Sequence, residues 1–223
     1  MRMEPLRIRD LFDPESVISQ WVFALSTAVT DLATAESVFQ DALHGDGPAA
    51  HTGYHYRQLI ARLYEAERVV VAIDSHDEVR DFIAQQPPAE PAVEFLRGAY
   101  LPIDSSKVRE TFGYARHRTV HHAHVGSAEL RDSLADAHDQ LARILVDTQR
   151  ERLYYEWPEA VVSHVLTRED ITTDEGLAAY AARVRFAQDI VAHFGNLLTA
   201  VMHPYAERVG VDIDRLYHDV REA

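Results

Sequence analysis

The stretch FGYARHRTVHHAHVGS, residues 112–127, gathers two arginines and four histidines between Arg116 and His124, with no carboxylate among them. Imidazole exchanges protons near neutral pH and can also ligate a metal. Guanidinium stays charged and presents a planar fork of donors suited to phosphate. Three chemistries fit this composition. One is a metal-binding face. Another is an Arg/His acid–base site acting on a phosphodiester. The third is a solvated helix surface whose imidazoles are exposed and whose guanidiniums pair with carboxylates elsewhere.

On a helix advancing 100° per residue, His117, His121 and His124 share one face at i, i+4 and i+7. Such a stripe can approach one ion. His51 and His55 offer a second i, i+4 pair. A metal is nevertheless not expected. The segment has no ExxH or HExxH carboxylate, and Arg116 and Arg118 repel a cation. No cofactor motif is present: Gly45-Asp46-Gly47 lies between two helical segments and lacks the strand or GK[ST] of a phosphate loop. On the surface reading, His122 joins Phe112 and Thr119 on an apolar face. His117 and His124 are then exposed, and the arginines pair with carboxylates such as Glu65, Glu67 or Asp136.

Arg116-His117-x-x-x-His121 resembles the R-x(4–6)-H motif of the HEPN superfamily, with His117 as the polar residue after the arginine. The chain's organisation, long helices with the motif on an inner one, is similar to that of HEPN-like bundles. The resemblance implies a metal-independent endoribonuclease of a toxin–antitoxin or defence system, with two motifs facing across a homodimer. It also implies roles: His121 as general acid/base, Arg116 as phosphate clamp and His117 as polar helper. Arg118, His122 and His124 give overlapping matches and are assigned to substrate contact. Two departures stand beside the match. About 100 residues follow the motif, where HEPN motifs usually open the last helix, and the chain is acidic. Many HEPN-like domains are inactive and serve in dimerisation or partner binding. A non-catalytic interaction module is therefore the alternative, and a His-rich metal-binding bundle the third possibility.

The 223 residues carry 36 Asp+Glu against 22 Lys+Arg, a formal charge of −14. That balance argues against coating nucleic acid by bulk attraction and against DNA reading. A local basic site survives it, because the Debye length is about 8 Å at physiological salt. There is no cysteine, so disulfides and thiolate chemistry are excluded. The charged N-terminal stretch does not read as a signal peptide. No apolar run is expected to reach a membrane span, and the expected location is the cytoplasm. The expected partners are RNA for the catalytic reading, a second copy, and an antitoxin or complex subunit.

Nine glycines and nine prolines leave room for long helices. Apolar residues at Ile18, Trp21, Leu25, Ala28, Leu32, Ala35 and Phe39 make one stripe, started by Asp13-Pro14-Glu15. Tyr56, Leu59, Leu63, Ala66 and Val70 make another, and VVVAI at its end reads as buried helix. Ser75 and Glu78 suggest a capping box for a short helix. Asp104 or Ser105 caps the motif-bearing segment. Leu134, Leu141, Ile144 and Leu145 continue a helix from Ser127, LYYEW at 153–157 reads as extended, and LYYEWPEAVV at 153–162 is either an exposed dimer or partner patch or a cap closing one end of the bundle. Leu177, Ala181, Val184, Ala187, Val191, Phe194, Leu198 and Val201 form the last long stripe. Pro204 and Gly210 are expected to break the tail before a short helix near 212–221. Together these predict an all-α up-and-down antiparallel bundle with additional short helices. It forms one domain over 1–223, with a short lead-in at 1–12.

Overall fold

The computed structural model describes residues 7–44, 49–115, 144–147, 152–155 and 173–212. The chain is an all-α bundle. Its helices are α1 (Ile8–Leu11), α2 (Val17–His44), α3 (Ala49–Ser75), α4 (Asp77–Ala84), α5 (Glu90–Tyr100), α6 (Lys107–Ala115) and α7 (Asp174–Arg208), with 3-10 turns at Pro87–Ala89 and Ile103–Ser105. Strands β1 (Ile144–Asp147) and β2 (Arg152–Tyr155) pair as one antiparallel ribbon, Ile144 opposite Tyr155. The helix expected through Ile144 and Leu145 is therefore corrected to strand there, and the extended reading of LYYEW holds over 153–155.

Helices α2, α3 and α7 form the frame. Trp21 near the start of α2 donates its Nε1–H to the Val69 carbonyl at 3.1 Å. At the other end, Phe39 meets Tyr56 with ring centroids 5.3 Å apart. The two helices are thus antiparallel. Ser19 meets Tyr205, and Gln188 meets Glu36, so α7 also runs antiparallel to α2. Every residue of the expected α3 stripe is buried, and VVVAI is helix, with Val69, Val70 and Ile73 buried. On α7, Val184, Ala187, Phe194 and Val201 are buried as expected, and the seam departs from the expected stripe between them. Ile190 and Leu197 are buried where Val191 and Leu198 were expected, and Leu177 is exposed. The apolar arc of α7 is broad enough for either register, and contact with α2 and α5 selects one.

Local start and stop signals shift as well. Asp13 caps a turn rather than a helix: its Oδ1 accepts from Glu15 N at 2.9 Å. Ser16 precedes α2 and accepts from Ser19 N. The Ser75–Glu78 box does not form, because Ser75 is still inside α3 and donates to Val71 O at 2.8 Å. His76 stands at the α4 N-cap position instead. Pro204 lies within α7, which continues to Arg208, and Gly210 at φ 72° then turns the chain. The expected helices after Ser127 and near 212–221 lie mainly outside the described residues.

The lead-in is tied to the bundle. Asp13 N–H donates to Ser19 Oγ at 3.3 Å, Ser19 Oγ lies 2.7 Å from Tyr205 Oη, and Tyr205 Oη donates to Leu11 O at 2.7 Å. Because the Tyr205 proton goes to Leu11, the Ser19 hydroxyl is the donor in the middle link. Phe12 stacks on the Tyr205 ring at 5.8 Å.

Among the described residues, α2 is long and apolar enough by length and composition to cross a membrane, a criterion that a core helix of a bundle also meets. One face of α2 packs on α3 and α7 through Leu25, Leu32 and Phe39. Thr27, Thr30, Ala33 and Thr34 lie exposed on the other side.

Candidate functional site

Helix α6 runs directly into the Arg/His stretch, so its anchoring decides where that stretch begins. Ser106 is the residue before α6 and is 1% exposed. Its Oγ accepts from Arg109 N at 3.3 Å, and its carbonyl accepts from Glu110 N at 2.9 Å. This is N-cap geometry, two residues after the expected Asp104 and one after Ser105. One turn in, Val108 and Phe112 point at i and i+4 into the core, at 0% and 1% exposure. Phe112 stacks on Phe186 of α7 at 5.9 Å with the planes 8° apart.

The polar side of α6 is fixed by a charge pair. Arg109 donates to Glu67 of α3 from Nη2 at 3.1 Å to Oε1, and from Nε at 3.3 Å to Oε2. This is the fork geometry that matches guanidinium to carboxylate. Hydrogen bonding to Glu67 is the main cause that raises the Arg109 guanidinium pKa above its ordinary value. Beside the pair, Tyr100 is fully buried and donates to the Leu63 carbonyl at 2.8 Å. Burial, with the Glu67 charge second, pushes its phenol well above 10.0. A side-chain carbon added at Gly113 would meet Tyr64 Oη at 3.4 Å, so α6 lies closely against α3 there.

Two of the carboxylates named as partners for the Arg/His segment are engaged by other arginines. Glu65 takes Arg62 at 2.5 Å, and Glu67 takes Arg109. The six candidate residues Arg116, His117, Arg118, His121, His122 and His124 lie outside the described residues, as does Asp136. The structure thus brings the motif's approach helix into the bundle through α3, α5 and α7. Among the described residues, no group of three His, Asp or Glu side chains could hold a metal ion.

The tyrosines of α3 divide between packing and surface. Tyr56 is buried and meets Phe39 and Tyr180. Tyr64 is buried against α6, while Tyr54 is exposed, with Arg57 at 5.8 Å over its ring. A separate cleft of about 560 Å³ opens between α4 and α5, with Ile73, Ile83 and Val93 on its walls. Its arginines are already paired, Arg80 with Asp77 and Arg97 with Asp74.

Sequence reasoning missed the Arg109–Glu67 pair and the stacking of His193 on Phe95. Arg109 and Glu67 stand 42 positions apart, and each flanks an apolar stripe, where a charge reads as ordinary surface. His193 sits beside Phe194 at the edge of the α7 stripe, so periodicity alone carried no sign of it. No family model, curated protein or solved structure matches the chain.

Proposed function

We propose that this chain is a HEPN-like helical protein that acts as a metal-independent endoribonuclease of a toxin–antitoxin or defence system. The observation that carries the reading is Arg116-His117-x-x-x-His121, one residue beyond a helix capped by Ser106 and clamped by Arg109–Glu67. The all-α bundle agrees with it.

In this reading His121 removes the proton from an RNA 2′-hydroxyl, and that oxygen attacks the adjacent phosphorus. The P–O5′ bond breaks, leaving a 2′,3′-cyclic phosphate and a 5′-oxygen that takes up a proton. Arg116 stabilises the charge gathered on the phosphoryl oxygens through paired N–H donors. His117 supports the clamp, and Arg118, His122 and His124 contact the strand. A second copy faces the first across the motif.

Purified chain incubated with RNA in EDTA tests this. Cleavage is expected, with loss in both Arg116→Ala and His121→Ala. RNA left intact by concentrated wild-type protein would sink the catalytic reading. The net charge of −14 favours a second reading, a dimerisation or interaction module. In that case a double Arg116→Ala/His121→Ala variant folds and keeps its oligomeric state and its partner.

A further inference from the structure

We infer that the outward face of α2 is a self-association surface, on which a second copy of this chain packs antiparallel about a two-fold axis near Thr30. The inference is independent of the ribonuclease reading, because α6, which leads into the motif, packs on α3 and α5.

The face stands apart from the rest of the frame. None of the exposed α2 residues from Gln20 to Val38 is charged. The outward sides of the other two frame helices do carry charge, Glu65 and Arg68 on α3, Arg185 and Asp189 on α7. Among the described residues α2 is the one helix long and apolar enough to cross a membrane, yet only 22% of its most apolar stretch is buried. Its apolar character thus exceeds what the bundle uses. Phe23 and Val38 are 50% and 39% exposed. Between them, Thr27 donates its hydroxyl to Phe23 O at 3.0 Å, and Thr30 donates to Ser26 O at 2.9 Å. Those donors are spent on the helix backbone, which leaves less polar capacity to desolvate on contact.

The order of residues selects a second copy as the occupant. A two-fold interface is isologous: where residue i meets j, j also meets i. About an axis between Thr30 and Asp31, antiparallel α2 helices set Phe23 against Val38, Thr27 against Thr34, and Gln20 against Asp41. All six are exposed. An apolar pair, a small pair and an amide facing a carboxylate are each complementary. Threonines at the centre let the helix axes approach closely. Charge points the same way. Two chains of −14 repel each other, and this face lets them touch where the exposed side chains are uncharged. Asp31 borders the axis, and Arg62 of its own chain stands 3.6 Å away, so that carboxylate is partly compensated before the copies meet.

Sedimentation of the full-length chain is expected to give a dimer, or a higher even assembly where the motif pairs as well. Thr30→Arg brings like charges together at the axis. It should weaken association by about tenfold or more and halve the assembly mass, with helix content unchanged by circular dichroism. The chain has no cysteine, so single introduced thiols report the register. Thr30→Cys is expected to cross-link to itself through a short bis-thiol reagent. Phe23→Cys lies about 22 Å along the helix from its own counterpart, so it should stay unlinked alone and link when mixed with Val38→Cys. Wild-type chain that stays monomeric at high micromolar concentration overturns the inference, whether it is free, on phospholipid vesicles or bound to another protein. So does an unchanged assembly mass in folded Thr30→Arg. Self-linking of Phe23→Cys with Thr30→Cys silent overturns it too.

Discussion

Arg109 and Glu67 hold α6 against α3 through a two-point charge pair, in which Arg109 donates from both Nε and Nη2. The side chains are 34% and 15% exposed, so solvent screens part of the attraction. Glu67→Ala is expected to cost about 1–2 kcal/mol in urea unfolding. On the ribonuclease reading, cleavage should fall further than stability, because the approach to Arg116 and His121 loosens. Arg109→Ala should match Glu67→Ala, and the double variant should lose little more. Additive losses in the cycle would mean that the pair is not the anchor.

Tyr205→Phe removes the donor to Leu11 and the acceptor of the Ser19 proton in one step. Ser19 is 2% exposed and Tyr205 1%, so water does not replace these bonds cheaply. Loss of about 1–3 kcal/mol is expected. Ser19→Ala should cost less, since Tyr205 keeps its bond to Leu11. Chemical denaturation of the two variants gives the ranking directly.

Gly98 lies in α5 with nothing within 4 Å of where a side-chain carbon would sit. Gly98→Ala removes unfolded-state freedom without a clash and should stabilise the chain by up to about 1 kcal/mol. A melting temperature that falls would show that the helix carries strain at this point.

The buried tyrosines set an alkaline limit. Burial raises the pKa of Tyr100, Tyr180 and Tyr205 above 10.0. For a phenol this means the folded chain favours the protonated form. The resulting stability is complete below the unfolded value near 10.0 and is lost as pH rises through the higher folded values. Melting temperature should show no tyrosine-linked loss up to about pH 10 and should fall above it. Tyr100→Phe should lower stability at neutral pH by about 1 kcal/mol through the lost bond to Leu63, yet flatten the alkaline decline. An unchanged slope in that variant would remove Tyr100 from the account.

The frame of the bundle was legible because burial imposes periodicity. Ile18 to Phe39 and Tyr56 to Val70 are apolar at helical spacing, and those positions are the ones that pack. Legibility failed where two local choices cost nearly the same. Ser75 can end one helix or start the next, and the arc of α7 fits its neighbours through Ile190 as well as Val191. The β1–β2 ribbon shows the same limit: Ile144 and Leu145 suit a helix stripe until Tyr155 and Tyr154 are available as backbone pairing partners. Of the site, the motif was legible from residue types and spacing. Its anchor was not, because Glu67 and Arg109 meet only through the tertiary fold.

The bond from Tyr205 to Leu11 joins residues 194 positions apart. Closing a loop that long carries a large entropic cost until the helices between are already packed. The joint therefore belongs to the last stage of folding, with its strength exerted on the unfolding side of the barrier. Weakening it should quicken unfolding while leaving the folding rate nearly unchanged. The Asp13–Ser19–Tyr205–Leu11 relay thus acts as a latch on the lifetime of the folded chain.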